Sequence, residues 1–151
     1  MAIDSVIIAA KRSPVGSLLG GLSSLSAPEL ASIVISDVIK DSGIDPNSID
    51  EIILGNVLSA GQGQAPARQA LIKSGCPNHI EALTINKMCG SGLKAIMLAE
   101  QMISYGQSEM ILAGGMESMS NAPFIIKGFR SGKKLGHERI IDSMVHDGLW
   151  D

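Results

Sequence analysis

Apolar positions along the chain fall into short branched runs that alternate with segments of helical spacing. Val6–Ala10 ("VIIAA") is a compact apolar run closed by "KRSPVG", the pattern of a fully buried strand. "SAPE" then predicts a helix start, with Ser26 as N-cap, Pro28 in the first turn and Glu29 completing a capping box. Leu30, Ile33, Val34 and Val38 continue at helical spacing until Gly43 stops the pattern. Glu51–Leu58 reads as a second strand, "SAGQGQAPA" leads into a short helix around Arg68–Lys73, and Gly75 and Pro77 end it. Ala82–Met88 is a third strand, Ser91–Tyr105 a third helix and Glu109–Ala113 a fourth strand closed by Gly114 and Gly115. The order βαβαβαβ, with short apolar strands, predicts an α/β fold with a mainly parallel sheet and helices on both faces.

Past "GGMESMSNAP" the pattern changes: "FIIKGFRSGKKLGHERIIDSMVHDGLWD" shows no clear strand and reads as an excursion leaving the sheet. It stops at Asp151 just after Leu149 and Trp150, a large apolar pair where tails usually fray in polar residues. The native protein is therefore expected to continue.

Composition narrows the class. The 151 residues are 45% hydrophobic and 18% charged, which suits a folded soluble protein and excludes a disordered or fibrous chain. Cys76 and Cys89 do not make a disulfide framework, and the N-terminus has neither a secretory nor a transit pattern, so reduced thiols in the cytoplasm are expected. No apolar run approaches the roughly 18 residues of a membrane span. The net charge of −3 hides a basic stretch, Lys127, Arg130, Lys133, Lys134 and Arg139, which is either a solvated loop or a place for ligand phosphates.

Cys89 carries the chemical interest. It lies in "INKMCGSGLKAIMLAE", where a strand gives way to a helix, and in α/β sheets ligands gather at that end of the strands. The unpaired N–H groups at a helix start favour negative charge on a nearby sulfur, and Gly90, Ser91 and Gly92 leave backbone donors approachable to an oxyanion. Packing of a small hydrophobe at a strand end is the competing account, and local pattern leaves both open. A nucleophilic cysteine also needs a base, and none of His79, His137 and His146 can be argued into its vicinity from sequence. Cys76, His79 and Cys89 fall short of the four ligands of a structural zinc site, so no metal is expected. "GQGQAPA" (residues 61–67) resembles a dinucleotide loop, but the following strand ends in "INKMC" without an acid for a ribose hydroxyl. The methionines read as core filling, with Met88, Met116 and Met119 near strand ends able to line an apolar acyl pocket.

"INKMCGSGLKAI" (85–96) and "AGGMESMSNAP" (113–123), with "VIIAAKRSPVG", "GNVLSAGQGQAPARQA" and "DSMVHDGLWD" in order, resemble the N-terminal half of a thiolase of the acetyl-CoA acetyltransferase type. The resemblance implies a thiolase-like α/β domain over residues 1–120, incomplete, the start of a loop domain over 121–151, and a C-terminal thiolase domain absent from the chain. It implies a transferase that forms an acyl-cysteine and exchanges acyl groups with coenzyme A, in acetoacetyl-CoA synthesis or 3-ketoacyl-CoA thiolysis. Cys89 matches the nucleophile, its backbone N–H contributing to an oxyanion hole, and Leu149 falls where a pantetheine-contacting leucine is expected. Acetyl-CoA and acyl-CoA are then the partners, as substrate or product, with no permanently bound cofactor, no nucleic acid and no membrane, and a homo-oligomer, dimer or tetramer, when full length. Thiolases keep a catalytic histidine, an oxyanion-hole asparagine and a second cysteine in their C-terminal half. The chain is accordingly expected to be a truncated piece with little condensation activity of its own. A nucleotide-binding α/β module and a non-catalytic subunit of a split enzyme are the alternatives.

Overall fold

A computed structural model describes residues 4–151. Its centre is a three-stranded parallel sheet in the order β2-β1-β3, from β1 (Glu51–Gly55), β2 (Glu81–Ile85) and β3 (Ile111–Gly115). The helices are α1 (Ala27–Ser42), α2 (Pro66–Lys73) and α3 (Ser91–Ser104). Side chains alternate along β1: Ile52 and Leu54 join the core beneath α1 and α2, while Gly55 touches the start of α3 on the opposite face. Helices thus cover both faces, as the pattern predicted.

The start of α1 follows the predicted signal. The Glu29 carboxylate accepts from the Ser26 N–H at 2.8 Å and from its hydroxyl at 2.7 Å. Its buried stripe differs from the expected one. Ala27, Ala31 and Ile35 are buried, whereas Ile33 is 56% exposed. The reason is the partner: α1 packs on α2 through a cluster that includes Ala67, Ala70 and Leu71, and small residues let two helices approach closely. Helical spacing identified the element but not which of its two apolar faces turns inward.

The run Val6–Ala10 forms no strand. Val6 and Ile7 are 79% and 82% exposed, and the segment has no ladder partner among the described residues. A strand needs a neighbouring backbone edge alongside it, and the segment lies against neither open edge of the sheet, those of β2 and β3. Lys11, just beyond the run, reaches Asp41 on α1 at 2.9 Å.

The region after residue 120 also differs from expectation. It contains an antiparallel pair, β4 (Phe124–Ile126) and β5 (Ile140–Asp142), joined by a loop that carries the basic cluster. Strands of three residues are too short for periodicity to reveal. A wide helical turn, Met144–Leu149, follows, closed by the Trp150 N–H on the Val145 carbonyl at 2.8 Å, a π-type i→i+5 bond. No helix among the described residues is long and apolar enough to cross a membrane.

The amino ends of the strands are tied by one carboxylate. Asp50 accepts from the N–H groups of Glu109 (2.7 Å) and Met110 (3.0 Å), and the Met110 bond leads the causes that hold its carboxyl below the usual range. Beside it, Glu51 stands opposite Glu81 across the β1–β2 pair. Burial first, and the Glu81 charge second, raise its carboxyl above the usual range.

These opposite shifts predict opposite pH behaviour. Glu51 has the raised folded-state value, so its ionisation works against folding as pH rises past the unfolded value. Glu51→Gln is expected to stabilise the fold at neutral pH by about 0.2–1 kcal/mol, the scale of a cross-strand side-chain pair, and to have no effect below about pH 4. Urea denaturation at both pH values checks this. Asp50 has the lowered value, so its stabilisation is present above the unfolded value and is lost as pH falls through the folded one. In Asp50→Asn that acid-dependent loss should be missing from the same measurements.

Candidate functional site

Between β2 and α3 the chain makes one tight loop, Asn86–Gly90, and Cys89 sits on it. The Asn86 side-chain oxygen accepts the Met88 N–H at 2.9 Å, turning Met88 into a left-handed conformation (φ 46) that a side chain of its kind rarely adopts. Ser91 fastens the loop from inside. Its hydroxyl accepts the Lys87 N–H at 2.9 Å and donates to the Met88 carbonyl at 2.7 Å, and the residue is only 6% exposed. Cys89, by contrast, faces solvent, whereas Cys76 is buried against the Ser74 hydroxyl.

The helix start is held over the sheet by a missing side chain. A Cβ on Gly55 would lie 2.5 Å from the Ser91 Cβ and 2.8 Å from the Gly92 nitrogen, so only glycine lets β1 pass beneath this turn. Cys89 is thereby fixed over the carboxyl ends of the parallel strands, the position where α/β sheets gather ligands.

A cleft of ≈ 410 Å³ opens there. Cys89, Met88, Met116 and Met119 line it from the sheet side, and Leu58 and Leu149 close it from the loop and the wide turn. The structure therefore brings the two residues singled out in sequence, Cys89 and Leu149, to one cleft, together with the three methionines. None of His79, His137 and His146 lines it. His146 instead approaches the Lys127 ammonium at 3.4 Å.

Two of the backbone donors expected for an oxyanion are already engaged. The Gly90 N–H closes on the Lys87 carbonyl and the Ser91 N–H on the Met88 carbonyl, each at 3.1 Å.

The dinucleotide-loop reading of residues 61–67 does not survive the geometry. The Gln69 side chain fills that loop, donating to the carbonyls of Gln62 and Gln64 at 2.8 Å each. The Ala67 N–H at the start of α2 is taken by the Thr84 hydroxyl at 2.9 Å. A phosphate would have to displace both. Among the described residues no group of three His, Cys, Asp or Glu side chains is placed to hold a metal ion.

Sequence reasoning missed Glu117, Asn56 and the part played by the Ser91 hydroxyl. Their signal was a polar residue within two positions of an apolar strand or a loop, which reads locally as a simple strand end. In the basic loop, Lys133 pairs with Glu138, while Arg130, Lys134 and Arg139 have no ion pair among the described residues.

The site thus presents an accessible thiol on a strand-to-helix loop of an α/β domain, over an apolar cleft at the carboxyl edge of its parallel sheet. The chain belongs to the thiolase family, its residues 5–151 matching the thiolase N-terminal domain. It is 52% identical over 148 residues to the acetyl-CoA acetyltransferase of Pseudomonas aeruginosa and 50% identical over 148 residues to a probable acetyl-CoA acetyltransferase of Escherichia coli. Each alignment covers 98% of this chain and 38% of the relative, so the chain spans well under half of their length. Among solved structures, a thiolase of Ascaris suum in complex with coenzyme A superposes with a TM-score of 0.88 at 42% identity. That match covers 93% of this chain and 36% of the other.

Two substitutions test how the thiol is held. Gly55→Ala should cost about 1–3 kcal/mol, because the new Cβ overpacks against Ser91 backbone, and should change the rate of Cys89 alkylation by iodoacetamide. Ser91→Ala strands the Lys87 N–H and should cost about 1–3 kcal/mol with a faster, less selective Cys89. Unfolding curves and peptide mass spectrometry read both.

Proposed function

We propose that this chain provides the acyl-accepting part of a thiolase-type acyltransferase, with Cys89 as the nucleophile. The observation that carries the reading is the placement of a solvent-facing Cys89 at the start of α3, in the same cleft as Leu149. The Cys89 sulfur attacks the carbonyl carbon of an acyl-CoA thioester. The bond from that carbon to the coenzyme A sulfur breaks and an acyl-cysteine thioester forms. Coenzyme A leaves as a thiol carrying the proton that Cys89 gave up. The Cys89 N–H supports the oxyanion of the tetrahedral intermediate, Leu149 lies along the pantetheine, and Met88, Met116 and Met119 shape the acyl end.

In the second half-reaction the acyl group passes to a carbon nucleophile, giving acetoacetyl-CoA, or 3-ketoacyl-CoA thiolysis runs the same steps in reverse. The proton transfers that this needs belong to the histidine and second cysteine that thiolases carry in their other half. Residues 121–151 open the loop domain that holds coenzyme A, with the basic loop 127–139 beside its phosphates. Coenzyme A thioesters are substrates rather than resident cofactors. The whole protein works in the cytoplasm as a dimer or tetramer.

Incubation with acetyl-CoA followed by peptide mass spectrometry tests the nucleophile. Acetyl is expected on Cys89, absent from Cys76, lost in Cys89→Ser and released by added coenzyme A. Acetyl found only on lysines, with the two cysteines equally unreactive, would sink the assignment.

A further inference from the structure

The carboxylate in the cleft wall has a task that the reaction does not account for. Glu117 lies two residues beyond the end of β3, yet its carboxylate bonds to the segment that leaves β1. One oxygen accepts from the Asn56 side-chain amide at 2.7 Å and from the Leu58 N–H at 3.1 Å, and the other accepts from the Val57 N–H at 2.9 Å. Asn56 is 2% exposed, and its amide group also points to the Met116 carbonyl at 3.4 Å. Its side-chain oxygen, Oδ1, has no hydrogen-bond partner among the described residues. The amide orientation is therefore dictated by the two acceptors on the β3 side, at the expense of the Asn56 oxygen.

The consequence runs toward the cleft. Because Val57 and Leu58 give their N–H groups to Glu117, β1 ends at Gly55 rather than continuing to Leu58, and both residues turn into the cleft wall. Leu58, 5% exposed, then packs on the turn that bears Leu149: a Cβ on Gly148 would come within 2.9 Å of a Leu58 methyl. Position 148 leaves no room for a side chain while Leu58 stays where Glu117 holds it.

We infer that Glu117 is a positioning residue: through Asn56, Val57 and Leu58 it sets the separation between Cys89 and the Leu149 wall, and so the fit of a pantetheine-length chain. The inference deepens the acyl-CoA reading and rests on it. Glu117 touches no reacting atom and takes no proton. Its effect belongs to ligands long enough to meet Leu149 and is absent for those that meet only the thiol.

Thiol–disulfide exchange separates the two. In each case the Cys89 thiolate attacks a disulfide sulfur, the old S–S bond breaks, a mixed disulfide forms and a thiolate departs to take up a proton. Pantethine, the disulfide of pantetheine, is compared with bis(2-hydroxyethyl) disulfide on the intact chain, with labelling at Cys89 followed by mass spectrometry. The wild-type chain should prefer pantethine, and Leu149→Ala should remove that preference. Glu117→Gln keeps the shape but turns an NH₂ group toward an N–H donor. It should lower the preference about three- to tenfold, the worth of one lost hydrogen bond, with the small reagent's rate unchanged. Gly148→Ala, which presses on Leu58 from the other side and leaves the carboxylate bonds intact, should lower it in the same direction.

A wild-type preference that persists in Glu117→Gln and Gly148→Ala overturns the positioning role while leaving the acyl-CoA reading in place. Equal changes for both reagents in Glu117→Gln also overturn it, since they report a loosened Cys89 loop. No preference in the wild-type chain overturns the pantetheine reading and this inference together.

Discussion

The close passage of β1 beneath the first turn of α3 is the constraint on which the rest of the site depends. Gly55 has no side chain, so the backbone of Ser91 and Gly92 can settle directly onto the strand end, while Gly115 on β3 lies less tightly against Gly92, where a Cβ would stand 3.4 Å from the Gly92 Cα. Backbone contact at this distance fixes the height and direction of the helix start. The loop before it must then climb from β2 in five residues. It does so through the strained Met88 and the buried Ser91 hydroxyl, leaving Cys89 outside. Exposure of the sulfur is thus a result of packing two residues away rather than of any property of cysteine, which is ordinarily among the most buried residues.

Two carboxylates repeat one device at opposite ends of the sheet. Asp50 ties the amino end of β1 to the approach of β3 by accepting two backbone N–H groups, and Glu117 ties the carboxyl ends by accepting two more and an amide. A carboxylate suits this work because it offers several acceptor sites without a donor to place. Asp50 stays at the surface, where its bonds only secure strand register. Glu117 lies in the cleft wall, so the same bonding decides where Val57 and Leu58 go and hence the shape of the space in front of Cys89.

The packing of α3 shows how function and stability share one helix. Ala95 and Ala99 are its buried stripe on the sheet, and their small size lets the helix lie close enough for the Gly55 contact. Leu93, Ile96 and Met97 remain 66%, 47% and 48% exposed on the far side, so most of the large apolar surface of this helix contributes nothing to the core described here. Sequence spacing marked α3 as helical with apolar residues on both sides. Which side is buried followed from the glycines of the strands it rests on.

Residue order by itself determined the alternation of helices and parallel strands, because branched runs and capped helical repeats leave a local record: the Ser26–Glu29 start of α1 was legible to the residue, and the helix read around Arg68–Lys73 begins two residues earlier, at Pro66. It also pointed to Cys89, since a cysteine between a strand and a glycine-serine helix start has a local signature, and the ordered motifs named the family. Tertiary structure alone decided that Val6–Ala10 is not a strand, as pairing requires an edge that no local pattern supplies. It decided that Leu149 shares the cleft with Cys89, although sixty positions separate them along the chain. And it decided the work of Glu117 and Ser91. A hydrogen bond is specified by where its partner lies in space, and the partners of Glu117, Asn56 to Leu58, lie about sixty positions away along the chain, just past the end of β1.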